Sequence, residues 1–179
     1  MTNNELLEVV QSVLGSDILG HEEQYDALII EIAPKDVLRI VSTLKENEAL
    51  SFNFLTLIGA VHYPEDLNRE ICVVYHLHSW KNAIRLRVKA FLSIENPSIE
   101  SLCSVFDGAN WMERETYDFF GVRFENHPNL TRILNMDEMD YHPMLKQYAL
   151  EDGTREDKDD RFLSSRVPSS SAYCLSIGW

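Results

Sequence analysis

The chain has 179 residues, 45% of them apolar, and a formal net charge of -13. That length holds one domain, or one domain plus a tail, with enough apolar material for a buried core. A balance this acidic lacks the basic surface on which non-specific nucleic-acid binding depends, and it disfavours adsorption to anionic lipid.

Residues 4–14 are predicted to form a helix, with Leu6, Leu7, Val10 and Leu14 at helical spacing and Gly15 as its stop. Tyr25–Ile32 is rich in strand formers and reads as a buried strand. Pro34 opens a second helix, with Val37, Ile40, Val41 and Leu44 on its buried face. Strands are expected over Ser51–Val61, Glu70–His78 and Ile84–Leu92, the last two joined by the short link SWKNA as an antiparallel hairpin. After Asn96-Pro97-Ser98 a short helix is expected over Ile99–Phe106, then a turn at Asp107-Gly108. Trp111–Phe120 is the next helix, with Asn110 as N-cap, Glu113 at capping-box spacing and Gly121 as a left-handed stop. This order of elements predicts an α+β fold, a small mixed or antiparallel sheet with helices packed on it, over residues 1–136.

From Asp137 periodicity fades. Glu151–Arg161 holds six acids and three bases, too charged to fold on a core of its own. Residues 137–161 are therefore expected to be an extended arm that orders against a partner. Residues 162–179, with six serines and one charged residue, read as a disordered end.

No apolar run approaches the ~20 residues that span a bilayer. The acidic N-terminus has no basic n-region and does not read as a secretory signal. Cys72, Cys103 and Cys174 lie far apart, the pattern of reduced thiols and not of a disulfide framework or an iron–sulfur site. No phosphate-binding glycine loop, nucleophile elbow or HExxH run is present.

Two constellations carry chemical potential. On the helix Trp111–Phe120, Met112, Thr116 and Phe119 share the core side, and Arg114 and Asp118 are spaced to pair. Glu115 falls near the apolar side and, if buried there, needs a partner, for which Arg123 and Arg132 are the nearest bases. Such acids serve proton transfer in one reading and a structural charge network in the other, with the network favoured. On the strands, His76 and His78 share a face and His62 approaches from the preceding strand, a set from which zinc and a free-standing metal-dependent enzyme can be imagined. The same hairpin alternates Arg85, Arg87 and Lys89 with apolar residues, leaving one face basic: either a docking surface for acidic groups, or bases paired within the chain.

The run Glu113-Arg114-Glu115-Thr116-Tyr117-Asp118-Phe119-Phe120-Gly121 resembles the signature of the respiratory complex I 30-kDa subunit family, the C subunit of bacterial NADH:quinone oxidoreductase. The resemblance continues through His127-Pro128, Arg132-Ile133-Leu134 and His142-Pro143 to Lys146, and covers about residues 20–161. It implies a cofactor-free subunit of the peripheral arm, on the cytoplasmic face of the bacterial inner membrane and held there through partners. NADH, FMN, the iron–sulfur clusters and quinone would be bound by other subunits, with this chain supporting electron transfer to quinone. Its arm would wrap the quinone-site subunit (the D subunit) beside the iron–sulfur subunits. The residues carried over as signature or interface positions are Glu113, Arg114, Glu115, Asp118, Gly121, His127, Pro128, Arg132, His142, Pro143 and Lys146, with no catalytic, cofactor or metal residue among them. The homologous subunit of a membrane-bound hydrogenase or formate hydrogenlyase bears the same signature and is the rival. The chain departs from the family at Lys146-Gln147-Tyr148-Ala149, where a Lys-Asp-Tyr-Pro type run is usual, and residues 162–179 match nothing in it.

Overall fold

The computed structural model describes residues 2–25 and 27–148. The chain starts with α1 (Asn3–Leu14), whose first turn is closed by a capping box. Thr2 Oγ1 accepts from the Glu5 amide, and the Glu5 carboxylate accepts from the Thr2 amide at 2.9 Å. Leu6, Val10 and Leu14 form its buried stripe. Two strands follow, β1 (Ile18–Gln24) and β2 (Ala27–Ile32), then a 3₁₀ turn at Pro34–Asp36 that feeds α2 (Val37–Glu46). Val37, Ile40, Val41 and Leu44 are fully buried, as their spacing predicts. β1 is not foreseen from sequence: five of its seven residues are exposed, so an edge strand of this kind carries no apolar alternation to read.

β3 (Phe54–His62), β4 (Ile71–Ser79) and β5 (Ile84–Leu92) complete a five-stranded sheet in the order β1-β2-β5-β4-β3. β2 and β5 pair in parallel and every other neighbouring pair is antiparallel, so the sheet is mixed and the fold is α+β. Strict alternation on β4 and β5 sends Ile71, Val73, Tyr75, Leu77, Leu86, Val88 and Ala90 into one core. Two-residue periodicity sends the intervening residues, among them His76, His78, Arg85 and Arg87, to the other face.

After β5 the expected helix over Ile99–Phe106 is absent. Ser98–Glu100 is instead β6, paired in parallel with β7 (Arg123–Glu125), and residues 101–106 form turns. The apolar spacing of Ile99, Leu102 and Phe106 is real, and all three are buried. However, the Cys103 amide is drawn to the Ser101 hydroxyl, and the Leu102 amide to a side chain of the next helix. That helix, α3 (Ala109–Phe120), packs beside β3. It begins at Gly108 without any side-chain cap, so Asn110 and Glu113 do not form the expected capping box: both lie inside the helix. Gly121 does end it in the left-handed conformation, φ 79°. Residues 126–148 contain no helix or strand, yet they fold back on α3 and β3 through defined hydrogen bonds. Arm residues 149–161, the end at 162–179 and Cys174 lie outside the described residues; Cys72 and Cys103 are free thiols. Among the described residues no helix is long and apolar enough to cross a membrane.

Candidate functional site: a clasp around the third helix

α3 presents two buried carboxylates, and neither is Glu115. Ala109, Glu113 and Thr116 form its buried stripe, with Met112 and Phe120 packed against the core. Glu113 therefore enters the interior at a position that helical spacing assigns to an apolar residue. It is fully buried, and among the described residues it forms no ion pair. Its Oε2 accepts from the Ser101 hydroxyl at 2.6 Å and its Oε1 from the Leu102 amide at 2.7 Å, with the Cys103 thiol 3.5 Å away. Burial pushes this carboxyl above its ordinary range, an effect only partly offset by those hydrogen bonds. Nearby, the buried Tyr75 hydroxyl has no hydrogen-bond partner among the described residues, and burial, with the Glu113 charge, raises its pKa.

Asp118 lies on another flank of α3 and is covered by residues 132–135. Its carboxylate accepts from the Arg132 guanidinium at 2.6 Å, from the Leu134 and Asn135 amides at 2.8 and 2.9 Å, and from the Ile133 amide at 3.2 Å. The Asn135 side-chain amide adds a further bond at 3.1 Å. Burial alone would raise its pKa; the Asn135 and Leu134 amides, with Arg132, outweigh that and hold it well below the usual carboxylate range. The ion pair is almost dry, with side-chain exposures of 9% for Arg132 and 0% for Asp118.

Arg132 does not stop at the carboxylate. It also donates to the Asp118 carbonyl, and through its other terminal nitrogen to the Met139 and Tyr141 carbonyls at 2.7 and 2.9 Å. A single planar fork thus fixes residues 139–141 to the end of α3. Arg114 does the same one turn earlier, donating to the Thr131 and Arg132 carbonyls at 3.0 and 2.8 Å. The expected Arg114–Asp118 pair is not formed, because each side chain is engaged by the folded-back segment. Glu115 is exposed, so it needs no partner of the kind expected from Arg123 or Arg132.

The histidines and prolines of the signature punctuate this segment. His127 Nδ1 accepts from the Asn129 amide, which leaves the proton on Nε2 to be donated to the Asn110 carbonyl at 3.1 Å. Pro128 is exposed between them. His142 Nδ1 lies 3.0 Å from the Asp118 carbonyl and donates to it, and the ring meets Tyr117 edge-on. A Cβ at Gly121 would stand 2.7 Å from the His142 ring, so glycine is required there twice over, by its φ and by the ring. Pro143 is half-buried, and the Met144 amide donates to the Phe119 carbonyl at 3.1 Å. The exposed Lys146 donates through its amide to Nδ1 of the buried His62 at 2.9 Å, and burial lowers the His62 pKa.

The structure brings Arg114, Asp118, Gly121, Arg132, His142 and the start of Pro143–Lys146 into one clasp. Glu113 and His127 sit on the other side of α3, and Glu115 stands apart. Sequence reasoning misses Ser101, Asn129 and Asn135, whose polar groups complete these contacts. Nothing at the level of spacing distinguishes them from surface residues.

The expected histidine set does not assemble. His62 pairs with Ile71 on the core face, whereas His76 and His78 pair with Leu57 and Phe54 on the opposite face. The β-bulge between Leu55 and Leu57 changes which alternate residues face inward, and so separates His62 from the other two. Among the described residues, metal-ligand atoms converge within 4.8 Å at Cys103, Glu113 and His127. Both His127 ring nitrogens are already used there, and burial raises the Cys103 pKa, away from the thiolate that a metal prefers. The trio is a poor fit to a metal.

Fold and site together define an α+β domain whose C-terminal segment is clasped to an acidic helix through side chain-to-backbone bonds. The chain belongs to the family described as respiratory-chain NADH dehydrogenase, 30 Kd subunit, whose model matches residues 30–154. It is 37% identical over 154 residues to the C subunit of the NADH-quinone oxidoreductase of Citrifermentans bemidjiense, covering 86% of this chain and 94% of that one. It spans only 66–69% of the length of several other relatives of that name. Among solved structures it is similar to a trypsin-resistant fragment of Nqo5, at 27% identity and a TM-score of 0.59, covering 73% of this chain and all of that one. It shares its fold with a chain of the membrane-bound sulfane sulfur reductase, an archaeal respiratory membrane complex, at 22% identity and a TM-score of 0.69, covering 87% and 96% of the two chains.

Proposed function

We propose that this chain is a cofactor-free structural subunit of the peripheral arm of a proton-translocating NADH:quinone oxidoreductase. In this reading it supports electron transfer from NADH, through FMN and iron–sulfur clusters in other subunits, to quinone. It sits on the cytoplasmic face of the bacterial inner membrane through its partners, next to the quinone-site subunit and the adjacent iron–sulfur subunits. The observation that carries the proposal, beside the family, is the clasp. Asp118 and Arg132 give a defined course to a segment without helix or strand, as a chain that must present an extended surface to partners requires. The signature residues act in this reading by shaping that surface: Glu113 and Asp118 are engaged by backbone amides and by Arg132, not aimed at a reacting group. Of the arm expected over residues 137–161, residues 137–148 already lie on α3 and β3 in this chain, through the Arg132 bonds to the Met139 and Tyr141 carbonyls and the Lys146–His62 bond, and in this reading the remainder, residues 149–161, orders on the partner.

The test is isolation of the chain from its native membranes in mild detergent. Recovery with an assembly that contains flavin and iron–sulfur subunits and oxidises NADH is the expected result. Recovery with nickel–iron subunits would move the chain to the hydrogenase branch. Recovery alone would overturn the proposal.

A further inference from the structure

We propose that the open face of the sheet, at the end where β3, β4 and β5 carry Phe54, His78 and Arg85, docks an acidic segment of another protein subunit. This rests on the proposed function for the identity of the assembly, but not for the surface itself. The core covers only one face of the sheet. On the other, pairing register lays two rows across the strands: Phe54–His78–Arg85 and Leu57–His76–Arg87. His76, His78, Arg85 and Arg87 of these rows line a shallow groove that Thr56 and Tyr25 also border.

Charge singles out this end. Elsewhere on the sheet the bases are neutralised within the chain: Lys89 pairs with Glu22 at 2.6 Å and Arg69 with Glu31 at 3.0 Å. Arg85 and Arg87 have no carboxylate partner among the described residues, in a chain whose net charge is -13. Two guanidinium groups without a carboxylate partner stand side by side on this open face, and their complement is an acid from outside.

Apolar surface identifies the occupant as protein. Phe54, Leu57 and Trp80 are 43%, 47% and 66% exposed and border the bases. Trp80 contacts Phe54 and stacks on His78 at a ring separation of 4.9 Å. Aromatic residues beside arginine are the composition that buried interface centres favour. A small anion would engage the two arginines and leave the aromatic side chains in water. A nucleic acid would meet the chain's overall negative field. The occupant that satisfies both features is a peptide segment carrying Asp or Glu next to apolar side chains.

The test places a photo-crosslinking residue at Leu57 in the full chain, isolates the chain from native membranes, and maps the crosslinked peptide. A crosslink to an Asp- or Glu-bearing peptide of a different subunit is expected. Recovery of that subunit should fall at least about tenfold in the double variant Arg85→Glu/Arg87→Glu and persist in Arg85→Lys/Arg87→Lys. An unchanged thermal midpoint of the Glu variant shows that the domain still folds. An assembly that oxidises NADH but yields no crosslink, or a crosslink to a second copy of this chain, overturns the inference, and so does full partner recovery with the Glu variant. Failure of the assembly to oxidise NADH, with the crosslink still formed to an acidic peptide, refutes the proposed function and leaves the docking surface standing.

Discussion

Asp118→Ala is the sharpest perturbation the structure offers. The substitution removes an acceptor that serves Arg132, the amides of Ile133, Leu134 and Asn135, and the Asn135 side chain. It leaves a guanidinium with 9% side-chain exposure facing no charge. Removing one member of a buried ion pair costs about 3–5 kcal/mol. For a domain of this size that is a fall of roughly 6–20 °C in thermal midpoint if the loss is global. If residues 132–145 detach before the sheet melts, the loss appears locally instead. Amide exchange at Leu134 and Asn135 then speeds up by about two to four orders of magnitude, while core amides of β4 and β5 keep their protection. Asp118→Asn, which keeps one carbonyl oxygen but turns an NH₂ towards donors, should fall between wild type and alanine. The assay is hydrogen exchange read by residue, with thermal unfolding at neutral pH alongside. A midpoint within about 1 °C of wild type, with Leu134 and Asn135 exchanging as before, would refute the view that Asp118 organises the segment.

Four further outcomes follow from the same geometry. Gly121→Ala must strain a backbone at φ 79° and push on the His142 ring, so it should cost about 1–3 kcal/mol and expose residues 142–146 to protease. Arg114→Ala loses two charge-assisted bonds to carbonyls and should cost about 1–3 kcal/mol, whereas the exposed Glu115→Gln should stay within about 0.5 kcal/mol in urea unfolding. Glu113 has a raised carboxyl pKa in the fold, so its contribution is fully present below the unfolded value, near ~4.3, and is lost as pH rises through the folded value. Glu113→Gln should flatten that decline; Asp118, with its depressed pKa, acts in the opposite sense, stabilising above the unfolded carboxylate value and losing this as acid protonates it. Tyr75→Phe removes a buried hydroxyl without a partner, and its thermal midpoint should equal or exceed that of wild type.

Periodicity is a record of burial, and that explains which elements were legible. α1, α2, β4 and β5 bury one face each; the expected limits of α1, β4 and β5 lie within a residue of the observed ones, and the buried face of α2 is as its spacing predicts, although Pro34 opens a 3₁₀ turn ahead of the α-helix. β1 buries almost nothing and leaves no pattern. Residues 101–106 have helical apolar spacing, but Glu113 and Ser101 capture the Leu102 and Cys103 amides and hold turns in place of a helix. The capping-box reading of Asn110 and Glu113 failed for the same reason: spacing cannot tell a carboxylate that reaches back to a cap from one that reaches across to a neighbouring loop. The site was legible only as a run of residues. Arg114 and Asp118 are spaced to pair on an isolated helix, and they part because residues 131–135 offer backbone carbonyls to one and backbone amides to the other. Backbone groups have no letter in the sequence, so the partners of the clasp were hidden while its side chains were visible. The histidines show the reverse error, where a β-bulge turned His62 to the core face and away from His76 and His78.

In the proposed function the clasp shapes the chain for assembly and takes no part in turnover. The most direct test is a strain lacking this chain, complemented with wild type or with Asp118→Ala, in which membranes are assayed both for NADH:quinone activity and for the amount of assembled complex. The expected result is that the variant lowers both in proportion, so that activity per assembled complex is unchanged. Full assembly with lost turnover would contradict it and assign Asp118 to the chemistry.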